Sequence, residues 1–101
     1  MTPRDRAAAK GTWFVYILRC GDGTLYTGTT QDPVRRLAQH AAGRGARYTR
    51  GRGPFTLVYL EECPDRSQAL RRERSVKRLP APAKAELIAR SRAATPGAGD
   101  P

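Results

Sequence analysis

The sequence predicts an α+β fold: a small, mainly antiparallel three-stranded sheet flanked by helices, in the order ββαβα(α). Three observations predict it. Residues 13–19 and 24–29 are short apolar runs on either side of Gly21-Asp22-Gly23. That cluster is hairpin-turn chemistry, because glycine permits positive φ and aspartate can bond its own backbone. Residues 33–41 and 66–79 carry apolar side chains at helical spacing behind Asp32-Pro33 and Pro64-Asp65, which are helix-start signals. Between these helices, residues 55–62 form a third apolar run centred on Leu57, Val58, Tyr59 and Leu60.

The first strand, over residues 13–19, is β-branched, aromatic or aliphatic from Phe14 to Leu18, which suits a strand buried on both faces. Pairing it with residues 24–29 places Tyr16 and Tyr26 near each other on one sheet. The first helix takes Asp32 as N-cap and Pro33 in its first turn. Val34, Leu37, Ala38 and Ala41 then recur at i, i+3, i+4 and i+7 and are expected to lie on the sheet. Arg36 and His40 share a face beside that stripe, and Gly43 is the expected stop.

Residues 43–54 alternate Arg44, Arg47, Arg50 and Arg52 with glycines around Tyr48. The composition suits a phosphate-rich, base-bearing ligand, and equally a solvated basic loop.

In the second helix Asp65 or Ser67 is the cap. At 100° per residue, Ala69, Leu70, Val76 and Leu79 share one arc, with Glu73 inside it. A carboxylate there requires a partner, because unpaired burial is costly. The partner is an arginine (Arg36 or Arg19), a tyrosine hydroxyl or a metal ion. Pro80 and Pro82 end this helix, and residues 83–92 suit a short last one. Residues 1–12 read as a mobile arm, 13–92 as the domain, and 93–101, rich in Pro, Gly and Ala, as a disordered tail.

The length of 101 residues allows one domain and a modest core. No run approaches the roughly 18 apolar residues of a membrane span, and no signal peptide is visible, so a cytoplasmic location is expected. Cys20 and Cys63 lack metal-type spacing and read as free thiols. The net charge of +10, from 16 Arg and 3 Lys against 9 acidic residues, points to a polyanionic partner, most simply nucleic acid.

The order of elements, with Tyr, Tyr-x-Gly, Arg, His and Glu at definite points, resembles the GIY-YIG endonuclease superfamily, and in particular its small single-domain bacterial members. Phe14-Val15-Tyr16 matches the first motif and Tyr26-Thr27-Gly28 the second. Arg36 matches the helix arginine, His40 a position the family fills with Tyr or His, and Glu73 the glutamate that holds a single divalent metal. The resemblance implies that Tyr16, Tyr26, Arg36, His40 and Glu73 converge on one concave site. It implies hydrolysis of DNA phosphodiesters with Mg2+ (or Mn2+), with structured or damaged DNA and DNA repair as the setting. In it Arg36 grips phosphate, Tyr16 or His40 handles the attacking water, Tyr26 hydrogen-bonds water or phosphate, and Gly28 lets backbone and substrate approach. Arg44, Arg47, Tyr48, Arg50 and Arg52 are the candidate nucleic-acid contacts. Several nuclease branches use an asparagine after the glutamate, and this chain contains none. Two alternatives follow: a non-catalytic nucleic-acid-binding module of the same fold, and a nuclease acting on RNA.

Overall fold

A computed structural model describes residues 11–94. The expected arm and tail fall mostly outside them. Strands β1 (Trp13–Arg19), β2 (Leu25–Thr30) and β3 (Thr56–Cys63) form one antiparallel sheet in the order β2-β1-β3. Helices α1 (Pro33–Ala41), α2 (Arg66–Lys77) and α3 (Ala81–Ala94) flank it. Element order and sheet type are those the sequence predicts, with boundaries shifted by one or two residues.

The central strand β1 is buried on both faces from Phe14 to Leu18. Its side chains alternate between the faces. Val15 packs with Cys63 and Ala69, and Ile17 packs with Val58, Tyr59, Val76 and Ile88. These contacts seat α2 and α3 on one side of the sheet. Complete burial of Val76 contributes about 1.5–3 kcal/mol. Leu87 and Leu25 pack against the edge of the same cluster. Tyr16 belongs to the alternate face and meets His40 of α1.

The β1–β2 turn closes through Cys20 N–H to Thr24 C=O and Gly23 N–H to Cys20 C=O. The Asp22 carboxylate accepts hydrogen bonds from the Thr24 N–H and hydroxyl. Only Gly23 of the two turn glycines needs positive φ, at 86°. Gly21 serves a different purpose: a Cβ there would lie 2.3 Å from the Gly53 carbonyl oxygen, and its N–H donates to Arg52 C=O. Residues 43–54 are therefore docked on the hairpin.

The helix caps are those expected. Asp32 accepts from Arg35 N–H and Asp65 from Gln68 N–H. Gly43 stands at φ 79° just past the end of α1.

The inward face of α1 is not the one expected. Val34 is 51% exposed, Ala38 and Ala41 are exposed, and only Leu37 of that stripe is half-buried. The buried residues are Pro33 and His40. The spacing i, i+3, i+4, i+7 is kept but starts one residue earlier, at Pro33, Arg36, Leu37 and His40. A histidine with both ring nitrogens hydrogen-bonded and three aromatic neighbours outweighs the small gain from burying two alanines and a valine.

Candidate active site

His40 is the centre of the site. It is 1% exposed, held by the last turn of α1 and surrounded by the rings of Tyr16, Tyr26 and Phe55 at centroid distances of 5.9, 5.4 and 5.9 Å. Its Nε2 lies 2.8 Å from the Tyr16 hydroxyl, and its Nδ1 lies 2.8 Å from Thr49 Oγ1. Thr49, also 1% exposed, sits on a single 3-10 turn (Arg47–Thr49), and its hydroxyl donates to Ala46 C=O at 2.8 Å.

Two glycines make room for these rings. A Cβ on Gly28 would stand 2.6 Å from the Tyr16 hydroxyl and 3.0 Å from Tyr26 Cε2. The space expected for substrate above Gly28 is thus filled by the phenol that pairs across from it. A Cβ on Gly45 would lie 2.1 Å from His40 Nδ1.

Tyr16 and Tyr26 lie with ring centroids 6.2 Å apart. Burial is the main reason the Tyr16 hydroxyl is pushed up to about 12; the adjacent Arg36 guanidinium partly offsets this, while Tyr26 and the Glu73 charge add to it. Tyr16 therefore keeps its proton at neutral pH. Burial, and then the charge of Arg36, hold the His40 imidazole below its ordinary range, so this ring is neutral at pH 7.

Arg36, half-buried, donates to Gln39 Oε1 at 3.0 Å and keeps other donors for a ligand. It also lines a cleft of about 360 Å³ with Trp13, Thr29, Gln31, Arg35 and Gln39.

Glu73 lies on the sheet-facing side of α2, between the buried Ala69 and Val76, and its side chain is 16% exposed. Its partner is Lys77, one turn on, with Nζ 3.2 Å from Oε2. The arginine partners considered from sequence are not used. The Glu73 charge is nonetheless felt at the Tyr16 hydroxyl, which leans toward β2 over Gly28. Tyr16, Tyr26, Arg36 and His40 thus form one cluster, with Glu73 in electrostatic reach of it.

The basic loop divides in two. Arg44, Arg47 and Arg50 are exposed. Arg52 is bound within the fold: its Nη1 meets Asp22 at 2.6 Å, its Nε donates to Tyr48 C=O, and its guanidinium lies 4.3 Å from the centroid of the Tyr48 ring. Tyr48 also stacks on Tyr26 at 5.9 Å and 22°.

Residues 12–86 match the GIY-YIG catalytic domain. The chain belongs to the GIY-YIG family. Among its relatives, the UPF0213 protein of Nitratidesulfovibrio vulgaris is 53% identical over 81 residues, covering 80% of this chain and 74% of that one. The UPF0213 protein of Halobacterium salinarum is 54% identical over 65 residues, covering 64% and 84%. The solution structure of the UPF0213 protein BH0048 from Bacillus halodurans has 49% identity and a TM-score of 0.52, covering 77% of this chain and 83% of that one.

Sequence reasoning missed Thr49 and Lys77. A histidine buried on a helix needs two partners, and Thr49 is the only hydroxyl other than Tyr48 in an Arg/Gly loop nine residues on; that was a usable signal. Lys77 was legible as an i, i+4 pair with Glu73.

Among the described residues no helix is long and apolar enough to cross a membrane.

Proposed function

We propose that this GIY-YIG protein is an endonuclease that hydrolyses phosphodiester bonds in DNA with one divalent ion, Mg2+ or Mn2+. The observation that carries the reading is the meeting of Tyr16, Tyr26, Arg36 and His40 around one buried phenol whose hydroxyl also feels Glu73. Local packing does not require polar side chains from two strands and a helix to gather around one buried hydroxyl, whereas a reaction centre does.

Among the described residues no group of three or more His, Cys, Asp or Glu side chains could hold a metal ion. The donor set is one carboxylate. This fits Mg2+, which keeps several waters and takes few protein ligands. Glu73 would hold it, with Lys77, half exposed, free to swing into solvent. When bound, the ion supplies positive charge to the phosphoryl and leaving oxygens.

The chain's own groups do the rest. Arg36 offers forked donors to the phosphate. The Tyr16 oxygen, whose proton is directed at His40, accepts a hydrogen bond from the attacking water and orients it. Tyr26 closes the same side. Arg44, Arg47 and Arg50 meet backbone phosphates, and Arg52 and Tyr48 hold the loop in place.

The test is cleavage of duplex, branched and single-stranded DNA and of RNA with and without magnesium, with Glu73→Ala as control. Magnesium-dependent DNA cleavage lost in the variant supports the reading; cleavage of RNA alone changes the substrate. The Lys77 contact on Glu73 favours a second reading, a nucleic-acid-binding module without catalysis. Its signature is salt-sensitive binding with no cleavage of any substrate.

A further inference from the structure

We infer that Thr49 is a positioning residue that locks His40 in its Nδ1–H tautomer and so makes Nε2 the acceptor of the Tyr16 proton. The catalytic meaning of this lock rests on the nuclease reading above; the lock itself does not.

Two distances of 2.8 Å, Tyr16 hydroxyl to Nε2 and Nδ1 to Thr49 Oγ1, leave either ring nitrogen free to carry the proton. The far end of the chain of hydrogen bonds removes that freedom. The Thr49 hydroxyl lies 2.8 Å from Ala46 C=O; a carbonyl only accepts, and a hydroxyl has one proton to give. Thr49 Oγ1 therefore accepts from Nδ1–H, and a neutral ring with its proton there leaves Nε2 as the acceptor of the Tyr16 proton.

The opposite direction would leave the Ala46 carbonyl or Nδ1 without a proton from Thr49, in a site that is 3% exposed at Tyr16 and 1% exposed at His40. Among the described residues no buried side-chain polar atom lacks a partner, so the directed chain satisfies each member.

The lock has a chemical consequence. With Nε2 unprotonated, the Tyr16 hydroxyl is polarised toward His40, which raises the hydrogen-bond basicity of its oxygen toward water. The other tautomer would present an Nε2–H to that oxygen and occupy the lone pair that water needs. Gly45 belongs to the same device, because any side chain there would displace the ring from Thr49.

His40 is the only histidine in the chain, so a long-range ¹H–¹⁵N correlation spectrum of the full-length labelled protein reports this ring alone. The expected wild-type pattern has a protonated Nδ1 and an unprotonated Nε2. Thr49→Ser retains it, and Thr49→Val gives the Nε2–H form or an averaged mixture. Cleavage falls on the order of 10-fold or more in Thr49→Val and stays near wild type in Thr49→Ser. A wild-type spectrum showing Nε2–H overturns the inference, as does a Thr49→Val protein that keeps the Nδ1–H pattern. Should Thr49→Val fail to fold, the wild-type spectrum decides alone. An Nδ1–H spectrum from a wild-type protein that cuts nothing upholds the lock and overturns the nuclease reading.

Discussion

Lys77 Nζ lies 3.2 Å from Glu73 Oε2 across one turn of α2, the lysine half exposed and the carboxylate mostly covered. An i, i+4 pair with one solvated partner contributes little, on the order of 0.3–0.5 kcal/mol. Glu73→Gln is therefore expected to melt close to wild type, within about 1 kcal/mol, and to lose magnesium-dependent cleavage. Lys77→Ala is expected to bind Mn2+ more tightly, since it removes a competing positive charge. Thermal melting and calorimetric titration with Mn2+ check both; a Glu73→Gln protein with wild-type cleavage sinks the metal-ligand assignment.

Gly28→Ala would place a methyl group 2.6 Å from the Tyr16 hydroxyl. The phenol must move, and the Tyr16–His40 bond breaks with it. Overpacking of this kind costs about 1–3 kcal/mol, and cleavage should fall at least tenfold, by analogy with loss of other positioned proton-transfer groups. Gly23→Ala is the matched control: no atom lies within 4 Å of its Cβ position, and the only strain is at φ 86°. It should lose stability and keep cleavage per folded molecule, read from urea melts beside initial rates.

Arg47 and Arg50 are exposed, whereas Arg52 is tied to Asp22. Removing either free arginine should reduce the slope of log affinity against log salt by roughly one. Arg52→Ala should change the slope less and instead loosen the loop, seen as a shifted His40 spectrum. Fluorescence anisotropy of labelled DNA between about 50 and 200 mM salt measures the slopes. Equal slopes for all three variants would mean that Arg52 also serves phosphate.

His40 gives stability a defined pH dependence. Its folded pKa lies below the ordinary 6.5. Between the two values the unfolded chain binds a proton that the folded chain does not, so stability rises with pH there. The contribution is complete above about 6.5 and is lost as pH falls toward the folded value. Urea melts from about pH 8 to about pH 5 should show this loss in wild type and a smaller one in His40→Gln. Above neutrality Tyr16 should stay a phenol, since its ionisation is pushed up to about 12; an absorbance titration with Tyr16→Phe as reference tests that.

The backbone plan was legible because turn and cap chemistry is local. Gly21-Asp22-Gly23, Asp32-Pro33 and Asp65 act on their own neighbours, and all hold in the structure. The inward face of α1 was not legible. Hydrophobic spacing assumes that apolar groups are what a helix buries, and here a histidine with two hydrogen bonds and three ring neighbours takes that place. The gathering of Tyr16, Tyr26 and His40 was expected from motif order. The Asp22 partner of Arg52 could not be, because it depends on residues 43–54 folding back onto a hairpin about 30 residues earlier, a contact no local pattern encodes.

Residues 43–54 bury little apolar surface; Thr49 is the loop's buried side chain, and beyond its bond to His40 and the Tyr48–Tyr26 stack the docking rests on Gly21–Arg52 and Asp22–Arg52 contacts near solvent. Such segments open at a lower free energy than the sheet and helices they cover. Because Thr49 travels with the loop, one such opening would leave His40 without its Nδ1 partner while β1, β2 and β3 remain intact. Warming would then silence the centre before the protein melts, and the amides of residues 43–54 would exchange with solvent at temperatures where those of β1 are still protected.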